Sequence, residues 1–137
     1  MGRKVNNKIR KKYIEMNGCV KMNGNCLCKK IKINLSKACD RVTACYCGMC
    51  RTWADGALFS LEAAYLDNDI EVEGKEWIQE YISSEKAKRG FCKNCGTSLY
   101  YKLNSGEYFL NAGLFDDLEF KLVAEYDANQ KPAYLQQ

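Results

Sequence analysis

The chain has 137 residues, of which 47% are hydrophobic and 12% aromatic. This length and apolar content predict one packed domain and exclude an intrinsically disordered chain. The formal net charge is +4, but residues 1–15 carry six basic residues against Glu15, a net of +5, and the other 15 basic and 16 acidic residues sum to −1. The body of the protein is therefore close to neutral, and its basic character belongs to an N-terminal tail.

We place the domain boundary after that tail, with a basic extension at residues 1–21 and the domain at residues 22–137. Clustered basic residues at a terminus are used by some proteins as an electrostatic arm for nucleic acid or an acidic surface. Termini are also where poorly ordered, solvated segments concentrate. We favour the second interpretation and expect the extension to be poorly ordered.

The pattern after residue 21 is typical of strands and turns, with no convincing long helix. Residues 30–35 alternate polar and apolar side chains, which predicts a half-buried strand. Residues 57–65 form a mixed segment with some helix-compatible positions. Further strands are predicted at residues 70–73, 77–82, 99–103 and 107–111, with a turn at 67–69 and a hairpin turn at 104–106. The prediction is a single, mostly β domain of antiparallel sheets, with cysteines on loops and strand ends.

Seven of the nine cysteines fall into three clusters: Cys26-x-Cys28, Cys45-x-Cys47-x-x-Cys50 and Cys92-x-x-Cys95. No apolar stretch has the length of a signal peptide core or a membrane span. We therefore expect a cytoplasmic protein, and in a reducing compartment clustered cysteines bind metal more often than they form disulfides.

The outer pairs predict one closed four-cysteine metal site, since Gly96 allows a tight turn after Cys95. The alternative is two unrelated pairs of structural thiols. The central trio has three ligands and an open position, which is the arrangement of catalytic zinc. A fourth ligand would make it structural, and the candidates are Cys19, Cys39, Asp40 and Asp55. We expect Cys19 and Cys39 to be spare thiols instead.

Arg51 directly follows the trio. Its charge would offset that of three thiolates or hold a substrate anion, and an ordinary solvated cation is the competing interpretation. The chain has no histidine, so the commonest general base at neutral pH is absent.

Three blocks of sequence carry a resemblance to a known family: residues 24–28, 45–56 and 89–99, the last beginning Arg89-Gly90-Phe91-Cys92. They closely resemble the glutathione-dependent formaldehyde-activating enzyme family (GFA), whose domain also occurs in centromere protein V. The resemblance covers about residues 22–135, and one departure is Tyr46, which stands where histidine is common.

The resemblance implies a β-tent of antiparallel sheets with two zinc ions. Cys26, Cys28, Cys92 and Cys95 match the ligands of the structural zinc. Cys45, Cys47 and Cys50 match those of a second, open zinc site. The implied activity is that of a carbon–sulfur lyase that adds the glutathione thiol to formaldehyde.

The expected partners are therefore a small glutathione-like thiol and a small aldehyde, without membrane or nucleic acid. The alternative from a different functional class is a noncatalytic, zinc-stabilised scaffold that binds protein or nucleic acid. The two hypotheses differ in whether the fourth position at the trio is permanently filled.

Overall fold

A computed structural model describes residues 22–37, 39–115 and 119–135, so the predicted extension at residues 1–21 lies outside the described residues. The described part is a mostly β domain with one short α-helix, α1 (Gly48–Ala54). Its strands are β1 (Met22–Asn25), β2 (Lys32–Leu35), β3 (Arg41–Cys45), β4 (Leu58–Leu61), β5 (Ile70–Glu73), β6 (Ile78–Ile82), β7 (Ala87–Cys92), β8 (Ser98–Leu103), β9 (Tyr108–Leu110) and β10 (Lys121–Tyr126). The predicted fold class is confirmed.

The strands form three sheets, in the orders β1-β2-β5, β10-β3-β4 and β6-β7-β8-β9. All pairs are antiparallel except β10 with β3, which is parallel. A parallel pair needs a long crossover connection, and here most of the chain separates the two strands. The end of β10 is thereby placed beside the end of β3, where Tyr126 is the register partner of Cys45.

Each strand predicted from alternation contains an observed strand, and β8 and β9 form the predicted hairpin. Sequence patterns did not predict β1, β3, β7, β10 or α1. Strand β10 exposes almost every side chain, and β7 buries Arg89, so neither shows the simple apolar alternation of a half-buried strand.

The main core contains buried residues from all three sheets, among them Val42 of β3 and Leu61 of β4. Its fully buried side chains are Ile31, Ile33, Leu35, Leu61, Leu99, Leu110 and Cys92. Cys26 belongs to the same cluster of buried residues, and Trp77 packs at its margin. Two of the predicted metal ligands are therefore part of the core itself.

Replacing Gly74 with alanine should destabilise this arrangement. Gly74 has φ +85° between β5 and the following 3-10 turn, and an added Cβ would overlap the carbonyl oxygen of Lys30. We expect the substitution to lower the free energy of unfolding by about 2–4 kcal/mol, from overpacking and left-handed strain together. Urea unfolding measures this, with Gly56→Ala as control because an added Cβ there meets no atom within 4 Å. Equal midpoints for both variants would contradict the prediction.

Candidate metal centres and the adjoining pocket

Cys26, Cys28, Cys92 and Cys95 come together as one group, whose sulfur atoms all lie within 4.8 Å of one another. The Sγ atoms of Cys26 and Cys28 are 3.6 Å apart, and those of Cys28 and Cys92 are 3.8 Å apart. Metal–sulfur bonds of about 2.3 Å in a tetrahedral site place sulfurs about 3.8 Å from each other. The described geometry therefore fits one tetrahedral ion.

Two tight turns create this cluster. The first turn contains Lys29 at φ 66°, and the amide of Lys29 donates to the carbonyl of Cys26 at 3.0 Å. In the second, Gly96 has φ 82° and its amide donates to the carbonyl of Cys92 at 2.7 Å. The position of Gly96 after Cys95 predicted this tight turn, and the positive φ confirms it.

Thr97 connects the two turns and was not identified from the sequence. Its hydroxyl accepts from the amide of Leu27 at 3.1 Å and lies 3.1 Å from Sγ of Cys95. This hydroxyl lowers the pKa of Cys95 to about 5. Burial instead raises the pKa of Cys26 to about 11. Because an ion binds thiolates, its affinity for this cluster will depend on pH through the loss of the Cys26 proton.

The trio forms a second group, in which the sulfurs of Cys45, Cys47 and Cys50 lie within 4.8 Å of one another. Cys45 ends β3, and Cys47 is the N-cap of α1, where its sulfur accepts from the amide of Cys50 at 3.4 Å. Within residues 22–37, 39–115 and 119–135, no further group of three or more cysteine, histidine, aspartate or glutamate side chains has its ligand atoms this close together.

The three thiols of the trio differ in acidity. Burial raises the pKa of Cys45 to about 12. It also raises the pKa of Cys50, against the opposing effect of Arg89. Burial opposes ionisation of Cys47 too, but hydrogen bonds with Cys50, Cys45 and Met49 together outweigh it and lower the pKa of Cys47. Cys47 is therefore the trio thiol whose ionisation the local contacts favour most.

A pocket of about 390 Å³ opens beside the trio. Its apolar wall comes from α1, β4, β8, β9 and β10, and consists of Met49, Leu58, Tyr101, Phe109 and Tyr126. Its other lining residues, besides the three cysteines, are Thr43, Ser60, Glu62, Arg89 and Asp127. The trio thus faces a pocket that has both an apolar surface and charged groups.

Arg89 is the buried cation of this pocket, with 3% of its surface exposed. Its Nη2 donates to Sγ of Cys50 at 3.7 Å, and its guanidinium carbon lies 5.0 Å from the ring centre of Tyr101 and 5.7 Å from that of Trp53. Among the described residues, Nη1 is buried and has no hydrogen-bond partner. Arg89 was not among the residues predicted to act at the site, although it begins the Arg-Gly-Phe-Cys block.

Arg51, the cation that the sequence analysis did single out, does not appear among the residues that line the pocket. Its Nε donates to the carbonyl of Tyr46 at 2.9 Å, and it lies in the last turn of α1. Its predicted contact with a substrate anion stays a prediction.

Three of the four candidates for a fourth ligand at the trio lie in the described part of the chain, and none of these three joins the group of ligand atoms that the trio forms. Cys19 lies outside the described residues. Cys39 and Asp40 precede β3 at the end opposite Cys45, and Asp55 is the C-cap of α1. A residue that was not considered, Asp127, makes the observed contact: Sγ of Cys45 donates to its Oδ2 at 3.9 Å.

The eight cysteines in the described part of the chain are all free thiols. This agrees with metal binding rather than a disulfide framework. In the same part of the chain, no helix has the length and apolar character that crossing a membrane requires.

A family profile described as glutathione-dependent formaldehyde-activating enzyme (GFA) matches residues 21–131. This chain belongs to the GFA family. A relative from Schizosaccharomyces pombe, named as an uncharacterized lyase, is 37% identical over 98 residues, which span 70% of this chain and 69% of the relative. The resemblance carried by the cysteine blocks is therefore confirmed, and both cysteine clusters of this GFA protein have geometry that can hold a metal ion.

The fold of this GFA protein also occurs in a solved structure. A crystal structure of a Rhodobacter sphaeroides protein is 24% identical and has a TM-score of 0.60, covering 76% of this chain and 99% of that chain. At this level of identity the likeness supports the fold and not a shared activity.

Proposed function

We propose that this GFA-family protein is a zinc-dependent enzyme of the carbon–sulfur lyase type that adds the thiol of glutathione to formaldehyde. Family membership and the lyase name of the Schizosaccharomyces pombe relative support the reaction class. The observation that carries the proposal is the placement of three thiols and one buried guanidinium around a pocket of about 390 Å³. A cluster that served only to stabilise the fold would not need such a space beside it.

The proposal assigns different roles to the two clusters. Cys26, Cys28, Cys92 and Cys95 would hold a structural zinc ion, because four thiolates form a closed site. Cys45, Cys47 and Cys50 would hold the second zinc ion at the pocket. Sets of thiolates favour soft or borderline ions such as zinc over magnesium or calcium. When bound at the second site, zinc supplies Lewis acidity and lowers the pKa of a thiol.

Arg89 is the proposed contact for oxygen atoms of the substrates. The aldehyde oxygen gains negative charge as the carbon–sulfur bond forms, and glutathione carries carboxylates. A guanidinium already held beside Tyr101 and Trp53 needs little reorganisation to stabilise such charge. The apolar wall next to it reduces access of water, which strengthens this interaction.

The reaction is balanced without any further reactant. The thiol sulfur forms a bond with the aldehyde carbon, the carbon–oxygen double bond becomes single, and the thiol proton ends on that oxygen. Because the chain has no histidine, proton movement would involve solvent or a carboxylate. The protein's own contribution is to hold both reactants in one small space.

The test is an exchange measurement, since thiols and formaldehyde also combine without a catalyst. Zinc-loaded protein is added to glutathione and formaldehyde at equilibrium, and the exchange rate between free and adduct forms is followed by NMR. We expect exchange to accelerate in proportion to protein concentration. A rate equal to that of the protein-free mixture would refute the proposed reaction.

Arg89→Met should lower the protein-dependent exchange rate by about 100-fold, because one preorganised donor to a developing oxyanion is worth roughly that much. Arg89→Lys should recover only part of the rate, since lysine keeps the charge but loses the planar donor fork. Arg41→Lys is the control, because Arg41 pairs with Glu62 at 2.8 Å on the surface. Circular dichroism and zinc content verify folding. Wild-type exchange in folded Arg89→Met would contradict the role of Arg89.

The domain boundaries and location also belong to the proposal. We place the enzymatic domain at residues 22–137 and treat residues 1–21 as an extension without a part in the reaction. A cytoplasmic location is proposed because free, clustered thiols persist in a reducing compartment.

A further inference from the structure

The C-terminal end of β10 brings the chain to the trio. Tyr126 pairs with Cys45 in register, and the amide of Tyr46 donates to the carbonyl of Tyr126 at 3.0 Å. Asp127 is the next residue, and its Oδ2 lies 3.9 Å from Sγ of Cys45. It also lines the pocket that adjoins the trio.

The backbone of Asp127 has a conformation that few residues adopt. Its φ is 53° and its ψ is 43°, in the left-handed region, and its carbonyl accepts from the amide of Gln130 at 2.9 Å. Aspartate is one of the non-glycine residues that visit this region, though at some cost. The conformation ends β10 and starts the 3-10 turn Ala128–Gln130, so that the Asp127 side chain stays at the rim of the pocket.

Contacts on both sides of Asp127 hold this segment against Tyr46. The Tyr46 hydroxyl donates to Oε1 of Glu125 at 3.2 Å, and Nζ of Lys131 lies 3.5 Å from the same oxygen. Nζ of Lys131 also lies 5.0 Å from the ring centre of Tyr46. The position of Asp127 is thus set by residues two before it and four after it in the chain.

We infer that Asp127 supplies the fourth ligand of the ion held by Cys45, Cys47 and Cys50, an inference that rests on the proposed second metal site. Zinc–sulfur bonds of about 2.3 Å and zinc–oxygen bonds of about 2.0 Å put sulfur and oxygen ligands about 3.5 Å apart on a tetrahedral ion. The observed 3.9 Å between Cys45 and Asp127 is close to this spacing. The Asp127 carboxylate does not lie within 4.8 Å of all three sulfurs, so its side chain would have to rotate toward the others, and because that side chain is exposed, packing does not oppose the rotation.

Glu62 is the other carboxylate that lines this pocket in the described part of the chain, and it is paired with Arg41 at 2.8 Å. Three thiolates, one carboxylate and a divalent ion would carry a net charge of about −2, of which the Arg89 guanidinium beside Cys50 offsets one unit. A carboxylate at an exposed rim is also more readily exchanged than a buried fourth cysteine. Such a site stays compatible with substrate binding.

Cobalt substitution tests the inference without any activity measurement. The protein is loaded with Co²⁺, whose visible absorption reports the number and type of ligands, and a chelator is then added to follow release of each ion. In Asp127→Asn, the absorption of the second site should change and its ion should be released about 10–100-fold more readily. The ion of the outer cluster should behave as in the wild type. Asp127→Ala removes the donor completely and should show at least the same loss.

Asp55→Asn is the matched control. Asp55 is exposed and also left-handed, with φ 67°, but it does not belong to the group of potential ligands at the trio. Wild-type absorption and release in Asp55→Asn, together with altered values in Asp127→Asn, would support the assignment. Wild-type values in both Asp127 variants would overturn it.

These outcomes are independent of the proposed reaction. If the spectra change as expected but the wild type shows no exchange of glutathione and formaldehyde, the ligand assignment stands and the proposed reaction fails. If exchange is catalysed but the Asp127 variants keep the wild-type spectrum, the reaction stands and the assignment fails.

Discussion

Replacing Cys92 with serine is expected to lower the free energy of unfolding by at least about 4 kcal/mol, because apparent binding energies of structural zinc reach about 10–16 kcal/mol and are coupled to folding. Cys92 is fully buried, belongs to the main core and contacts Cys28 across 64 positions of the chain. The variant would lose one of four ligands and place a hydroxyl in an apolar site. A chelator added to the wild type should have a comparable effect.

Urea unfolding followed by tryptophan fluorescence measures this change, since Trp77 packs at the margin of the core. Cys39→Ser is the matched control, because Cys39 is a free, partly exposed thiol outside both clusters. We expect this control to shift stability by less than about 1 kcal/mol. If Cys92→Ser and Cys39→Ser unfold at the same urea concentration, the outer cluster does not hold a structural ion.

Replacing Cys47 with serine should abolish activity while leaving the fold intact. Hydrogen bonds, including those with Cys50, lower the pKa of Cys47. Cys47 also lies outside both clusters of buried core residues. We expect the zinc content to fall from two ions to one per chain and the protein-dependent exchange rate to fall by at least about 100-fold, in line with the loss of a metal ligand.

Zinc analysis, circular dichroism and the NMR exchange measurement report these three properties separately. Full exchange activity in a Cys47→Ser protein with one zinc ion would refute the proposed role of the trio. Wild-type protein that binds two ions but never accelerates exchange would instead favour the noncatalytic scaffold. Cys92→Ser should therefore mainly lower stability, and Cys47→Ser should mainly lower activity.

Several features of the molecule could be predicted from local sequence. Alternation over residues 30–35 and the turn residues 104–106 predicted β2 and the β8–β9 hairpin, because such patterns report burial on one face and turn geometry. The spacing of Cys92 and Cys95 with Gly96 predicted a tight turn that brings two sulfurs together. These features depend on interactions within a few residues of one another.

Other features of the candidate site arise from long-range pairing. Arg89 reaches the trio because β7 crosses next to it, and Asp127 reaches it because β10 pairs in parallel with β3. Arg89 stands in a strand that buries a charge, which polar–apolar patterning does not predict. Arg51 was the more obvious cation in the sequence, yet its Nε is bonded to the carbonyl of Tyr46.

The sequence by itself determined that this is a β domain of the GFA family with cysteine clusters that can hold metal ions, because the ligand spacings, glycines and family blocks are properties of short segments. Tertiary structure decided which groups surround the trio. Residues 89 and 127 are separated from Cys45 by 44 and 82 positions, and no local sequence pattern predicts contacts between residues so far apart. They follow from strand order and register, which are set by the packing of the whole chain.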